Sequence, residues 1–143
     1  MSEKPQRTEI IILDDDESVR AEIAQAVRDI FPGLVVREIS DISIVMGLIM
    51  DSAARIFMLI SDGQMNKGVG PDGADVTYFA RQEFIPHVVL YSINTPWMGE
   101  MVKSTGVTCI QKPHNTSKDH ERPQNHEQLK AWLKTICSGI PPQ

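Results

Sequence analysis

Short apolar runs alternate with stretches of helical periodicity from one end of this chain to the other, and that alternation restricts the available folds more than any other property. The runs that read as strands fall near 8–13, 35–39, 57–61, 87–92 and 107–111. Between and after them, apolar residues recur three and four positions apart, the spacing that lines one face of a helix. The stripes are Val19, Ile23, Val27 and Ile30; Ile42, Val45, Met46, Ile49 and Met50; Val76, Phe79 and Ala80, near 73–83; Met98, Met101 and Val102; and Leu129, Trp132, Leu133 and Ile136. Five strand–helix units in succession predict an α/β fold built on a mainly parallel sheet, because parallel neighbours need a long crossover and a helix supplies it.

The punctuation agrees. Pro32-Gly33 stops the first helix, and Gly70-Pro71-Asp72-Gly73 makes a turn before the third. Thr95 as N-cap and Pro96 at the first helical position start the fourth, and Gly106 ends it. Gly139-Ile140-Pro141-Pro142 cannot extend the last. Two polar insertions, 66–72 and 114–125, lack the composition to form a core and read as surface loops. At 143 residues and 41% hydrophobic, the chain predicts one domain over 1–143 with its core in about 8–137.

Composition narrows the function classes. Fourteen basic against 19 acidic residues give a formal charge of -5, which disfavours direct nucleic-acid binding. Cys109 and Cys137 are far apart without metal-ligand spacing and read as reduced packing residues. Met1 to Glu9 is polar, and no stretch approaches the roughly 18 apolar residues of a membrane span, so a soluble cytoplasmic chain is expected, without membrane insertion.

Chemistry gathers at the ends of the apolar runs. Asp14, Asp15 and Asp16 follow Ile10 to Leu13; Asp62 follows Phe57 to Ser61; Ser92 follows Val88 to Tyr91; Lys112 follows Cys109 to Gln111. An open parallel sheet sets its carboxyl ends along one edge, and ligands bind in the crevice there. Adjacent carboxylates repel and raise each other's pKa, a penalty that a bound cation removes. Asp14, Asp15 and Asp62 can offer oxygen ligands to magnesium, whereas Asp16 and Glu17 suit a helix N-terminus, where acids favour the helix dipole.

This order of strand-end residues resembles the receiver domain of bacterial two-component response regulators over roughly residues 8 to 137. The resemblance implies a flavodoxin-like (βα)5 fold with strand order 2-1-3-4-5. It implies Asp62 as the phosphoacceptor, attacking a phosphohistidine to give an aspartyl phosphate. Asp15 would ligate Mg2+ (or Mn2+) directly, Asp14 through water, and Gln64 through its main-chain carbonyl. Ser92 would turn toward the phosphoryl group; Lys112 would pair with Asp62 beforehand and with the phosphoryl group afterwards. The Lys112-Pro113 bond is typically cis in such domains.

Several positions depart from the family pattern. Ile93 follows Ser92 where a small residue is usual, and its bulk predicts slower phosphoryl hydrolysis or restricted use of small phosphodonors. Gln64 and Asn94 occupy the other positions that tune phosphoryl lifetime. Cys109 stands where an aromatic switch residue is common, Met65 lacks the usual following proline, and the loop over 66–72 is about three residues longer than usual. Tyr91 and Trp97 read as packing residues. His114, His120 and His126 are six apart, match no ligand motif and read as surface loop residues.

The functional expectation is a signalling receiver rather than a metabolic enzyme, a monomer or weak homodimer. A sensor histidine kinase or histidine phosphotransfer protein would phosphorylate it, and it would signal to a downstream protein through a face including Trp97, Met98, Met101, Val102 and Cys109. Two alternatives stand beside it. An aspartyl-phosphate phosphohydrolase would need an acid two residues after Asp62, where Gln64 stands. A pseudo-receiver that binds partners without phosphorylation would have no need of the intact acids, serine and lysine.

Overall fold

The computed structural model describes residues 7–63, 72–92, 105–112 and 126–138. Strands β1 (Glu9–Leu13), β2 (Val35–Ile39), β3 (Ile56–Asp62), β4 (His87–Ser92) and β5 (Thr108–Gln111) lie in the order β2-β1-β3-β4-β5. Each neighbouring pair is parallel, as expected for the flavodoxin-like order. The described helices are α1 (Glu17–Ile30), α2 (Ile42–Ser52), α3 (Asp72–Gln82) and α4 (Glu127–Ser138), with a 3-10 turn at Ala53–Arg55. The helix predicted from Thr95 with Met98, Met101 and Val102 lies outside the described residues, as do the loop 114–125 and all of 66–72 except Asp72, which opens α3.

Burial follows position in the sheet. Ile10, Ile11, Ile12 and Leu13 are all buried because β1 is central and covered on both faces. On one face Ile11, Leu13, Leu59, Val88 and Leu90 pack with Val45 and Ile49 of α2 and Val76 and Ala80 of α3. On the other, Ile10, Ile12, Met58, Ile60, Val89 and Tyr91 pack with Ile23 and Val27 of α1 and Leu129 and Leu133 of α4. Alternate residues within each strand thus feed separate cores, the period-two consequence of the pleat. Cys109 packs against the first core and Cys137 against the second, and neither forms a disulfide. Among the described residues no helix is long and apolar enough to cross a membrane.

One core expectation fails. Met50 was expected on the inward stripe of α2 but is 71% exposed. Val45 and Ile49 are the buried residues of that helix, and the next position lies about 100° further round, outside the contact.

Candidate functional site at the carboxyl edge of the sheet

Strand register brings the strand-end residues together. Leu13 is level with Ser61, so Asp14 and Asp62, the next residue of each chain segment, are neighbours. Asp62 is level with Tyr91, and Ser92 with Gln111, so Lys112 starts beyond the row of acids and on the far side of β4. Its long side chain reaches back across that gap. Lys112 Nζ lies 2.8 Å from Asp14 Oδ2 and 3.4 Å from Asp62 Oδ1. The ammonium thus reaches both acids, Asp14 more closely than Asp62.

Local structure fixes the acids. Asp16 caps α1: its carboxylate accepts from the amides of Ser18 and Val19 at 3.0 and 3.1 Å and from the Ser18 hydroxyl at 2.9 Å. These bonds lower the Asp16 pKa, the Val19 amide most strongly. The Asp16 amide in turn donates to Asp14 Oδ1 at 2.9 Å, and Arg20 Nη1 donates to the Asp14 main-chain oxygen at 2.8 Å. Asp14 is thus buried and held on both its carboxylate and its carbonyl.

Asp15 carries the electrostatic load. Burial first and the Asp14 carboxylate second push its pKa above the ordinary value. Lys112 shows the reverse balance: burial works against its charged form, but Asp14 and Asp62 outweigh it and raise its pKa. Carboxylate oxygens of Asp14, Asp15 and Asp62 lie within 4.8 Å of one another. Ligand oxygens around one magnesium ion stand about 3 to 4 Å apart, so this all-oxygen set has the chemistry and the size for a hard divalent cation.

Gly73 supports the site in a way its turn signal alone did not reveal. A Cβ at this position would stand 1.5 Å from the Asp62 main-chain oxygen. The first turn of α3 therefore packs directly on the backbone of Asp62, and the Ser61 hydroxyl bridges the contact, 3.0 Å from the Asp62 carbonyl oxygen and 3.1 Å from that of Gly73. Only glycine permits that approach.

Of the other residues singled out in the sequence, Ser92 is buried at the end of β4, where its carbonyl accepts from the Lys112 amide at 2.9 Å. Cys109 is half-buried in β5. Gln64, Ile93, Asn94, Trp97, Met98, Met101, Val102, His114, His120 and the Lys112-Pro113 bond lie outside the described residues. His126 is a correction: expected on the surface, it is 1% exposed. It sits just before α4 and is hydrogen-bonded to Tyr91 and Glu22, partners from distant parts of the chain that loop polarity cannot signal. The one available clue was Tyr91 itself, since a buried tyrosine hydroxyl needs a partner.

No known protein-family model matches the sequence. Nor does any curated protein. Solved structures do. The receiver domain of a DNA-binding response regulator from Colwellia psychrerythraea is 17% identical with a TM-score of 0.68, covering 92% of this chain and 98% of that one. The chemotaxis protein CheY4 of Vibrio cholerae is 21% identical with a TM-score of 0.65, covering 91% and 98%. The phosphorylated cyanobacterial phytochrome response regulator RcpA is 18% identical with a TM-score of 0.66, covering 91% of each. The chain has the receiver fold.

Proposed function

We propose that this chain is a phosphoacceptor of two-component signalling that takes a phosphoryl group from a histidine kinase or a histidine phosphotransfer protein onto Asp62. The observation that carries the reading is the meeting of Asp14, Asp15, Asp62 and Lys112 at one sheet edge. Likeness of fold to receivers, including one crystallised in its phosphorylated form, supports it.

The chemistry asks little covalent work of the protein. An Asp62 oxygen attacks phosphorus, the bond from phosphorus to the donor nitrogen breaks, and an aspartyl phosphate results. No general base is needed, because a carboxylate nucleophile, unlike a hydroxyl, has no proton to lose on attack. Phosphoryl transfer depends on positioning and charge neutralisation, and Lys112, within reach of Asp62, supplies a positive charge for the phosphoryl oxygens. Asp14, Asp15 and Asp62, with the carbonyl of Gln64, would hold Mg2+, which when bound neutralises charge and orients the phosphoryl oxygens. Ser92, buried at the end of β4, would bond the transferred group and carry its presence to the fourth and fifth strands. The output is a change in protein contacts made by population shift rather than turnover of a metabolite.

Incubation with a small phosphodonor and Mg2+, followed by intact mass, tests the reading. Wild type gains one phosphoryl group and Asp62→Asn gains none. Absence of the gain with small donors and with histidine kinases alike, or its persistence in Asp62→Asn, contradicts the reading.

A further inference from the structure

Beside the acidic site lies a second buried polar chain that phosphoryl transfer does not use. The Tyr91 hydroxyl is 2.6 Å from His126 Nδ1, and His126 Nε2 is 3.0 Å from Glu22 Oε1. With the Glu22 oxygen as acceptor, Nε2 carries the hydrogen of this bond and donates it. In the neutral ring Nδ1 is then the acceptor, and the tyrosine hydroxyl donates to it. Each link is satisfied, which is what allows a polar chain to sit among core residues.

A hydroxyl, an imidazole and a carboxylate in that order are the parts of an activated nucleophile. Here they cannot act as one. Tyr91 is 1% exposed, so no substrate reaches its oxygen. Burial first, then the Asp14 and Glu22 carboxylates, push its pKa well above the ordinary tyrosine value, so the proton stays in place. What the chain can do is fix the plane and position of the Tyr91 ring.

That ring faces the site. Lys112 Nζ lies 5.7 Å from its centroid, within the range of a cation–π contact. The placement follows from strand order: β4 lies between β5, which delivers Lys112, and β3, which delivers Asp62. The lysine has to cross β4, and Tyr91 is the β4 residue level with Asp62.

We propose that Tyr91, anchored through His126 to Glu22, is a positioning residue that sets where the Lys112 ammonium stands between Asp14 and Asp62. Its consequence for phosphorylation rests on the function proposed above; its geometric content does not. The chain also has an accessible end, because Glu22 and His126 line a pocket of about 210 Å³ between α1 and α4 with Gln25, Asp29 and Lys130. Glu22 can therefore be changed without cutting into the core.

The test uses the full chain in its unphosphorylated state. NMR resonances of the Lys112 side chain carry a ring-current shift from Tyr91, and Glu22→Ala and Tyr91→Leu are both expected to move them. With a small phosphodonor, the same variants are expected to lower the saturated phosphorylation rate about threefold to tenfold, with the donor concentration for half-saturation unchanged. Glu22→Gln, whose side-chain oxygen accepts the same bond from His126, is expected to restore both. Circular dichroism confirms that each variant is folded, and Glu22→Ala, at a partly exposed position lining the pocket, secures the test if Tyr91→Leu fails to fold. Lys112 resonances that stay in place in folded Glu22→Ala overturn the inference. If wild-type Asp62 takes no phosphoryl group, the reading of function fails, and the Lys112 resonances still decide the positioning inference.

Discussion

The two ends of the central strands have opposite chemistry. At the carboxyl ends of β1 and β3 stand Asp14 and Asp62, with Asp15 adjacent and Lys112 between them. At the amino ends of β3 and β4 stand Phe57 and His87. Phe57 meets Phe31 edge-on at 5.8 Å and His87 at 4.7 Å, and Trp132 closes the row 6.5 Å from His87. The aromatic end is simply well packed. The acidic end gathers like charges, raises the Asp15 pKa and compensates with one lysine. Folding alone gives no reason for that cost, whereas the proposed cation and phosphoryl group would supply one.

The largest predicted effect breaks the acidic end without touching a charge. Gly73→Ala sets a Cβ against the Asp62 carbonyl. A gain of about 1 kcal/mol in helix propensity does not offset the displacement of α3, which is expected to cost about 3 kcal/mol or more. Chemical denaturation measures this, and phosphorylation of Asp62 is expected to fall with it. At the aromatic end, Phe57→Ala is expected to cost about 2 kcal/mol, less than a fully buried phenylalanine because the ring is only partly buried. The Asp62 phosphorylation rate should stay at the wild-type value. A Phe57 variant that is slow at phosphorylation while still folded would show the two ends to be coupled.

Much of this division was legible in the sequence. Asp14, Asp62, Ser92 and Lys112 follow mainly apolar runs, and in a parallel sheet the end of a run is the end of a strand. The four therefore had to share an edge once the sheet was inferred. Less visible was anything that depends on how far a side chain reaches. Lys112 lies closer to Asp14 than to Asp62 although β3, which carries Asp62, is the nearer strand to β5. His126 is buried because a tyrosine 35 residues earlier needs an acceptor. Gly73 looked like a turn residue, and its contact with Asp62 is a tertiary fact. Met50 was misassigned because a stripe read from periodicity has no sharp border.

Acid should act on the two ends with opposite sign. Burial and Arg81 hold the His87 pKa below the ordinary 6.5. Its contribution to stability is present above 6.5 and is lost as pH falls through the lowered folded value. Asp15 has a raised pKa, so its contribution is present below the ordinary 3.8 and is lost as pH rises through the raised folded value. Acidification therefore weakens the aromatic end first and relieves the acidic end later. His87→Gln is expected to flatten the loss of stability between about pH 7 and 5. The effect is the smallest of those predicted here, because the imidazole is only half-buried. Denaturation midpoints of the variant and wild type across that range measure it, and parallel curves would remove His87 from the account.

The most direct test of the acidic end is the unfolding free energy of wild type and Asp15→Asn measured with and without Mg2+ at neutral pH. Without the ion, Asp15→Asn is expected to equal or exceed wild type, since it removes a disfavoured charge. With Mg2+ at a hundredfold excess over its dissociation constant, wild type is expected to gain about 2.7 kcal/mol and Asp15→Asn much less. A wild type indifferent to the ion, or a variant stabilised as much as wild type, would contradict the claim that these strand ends are built to hold a cation beside Asp62.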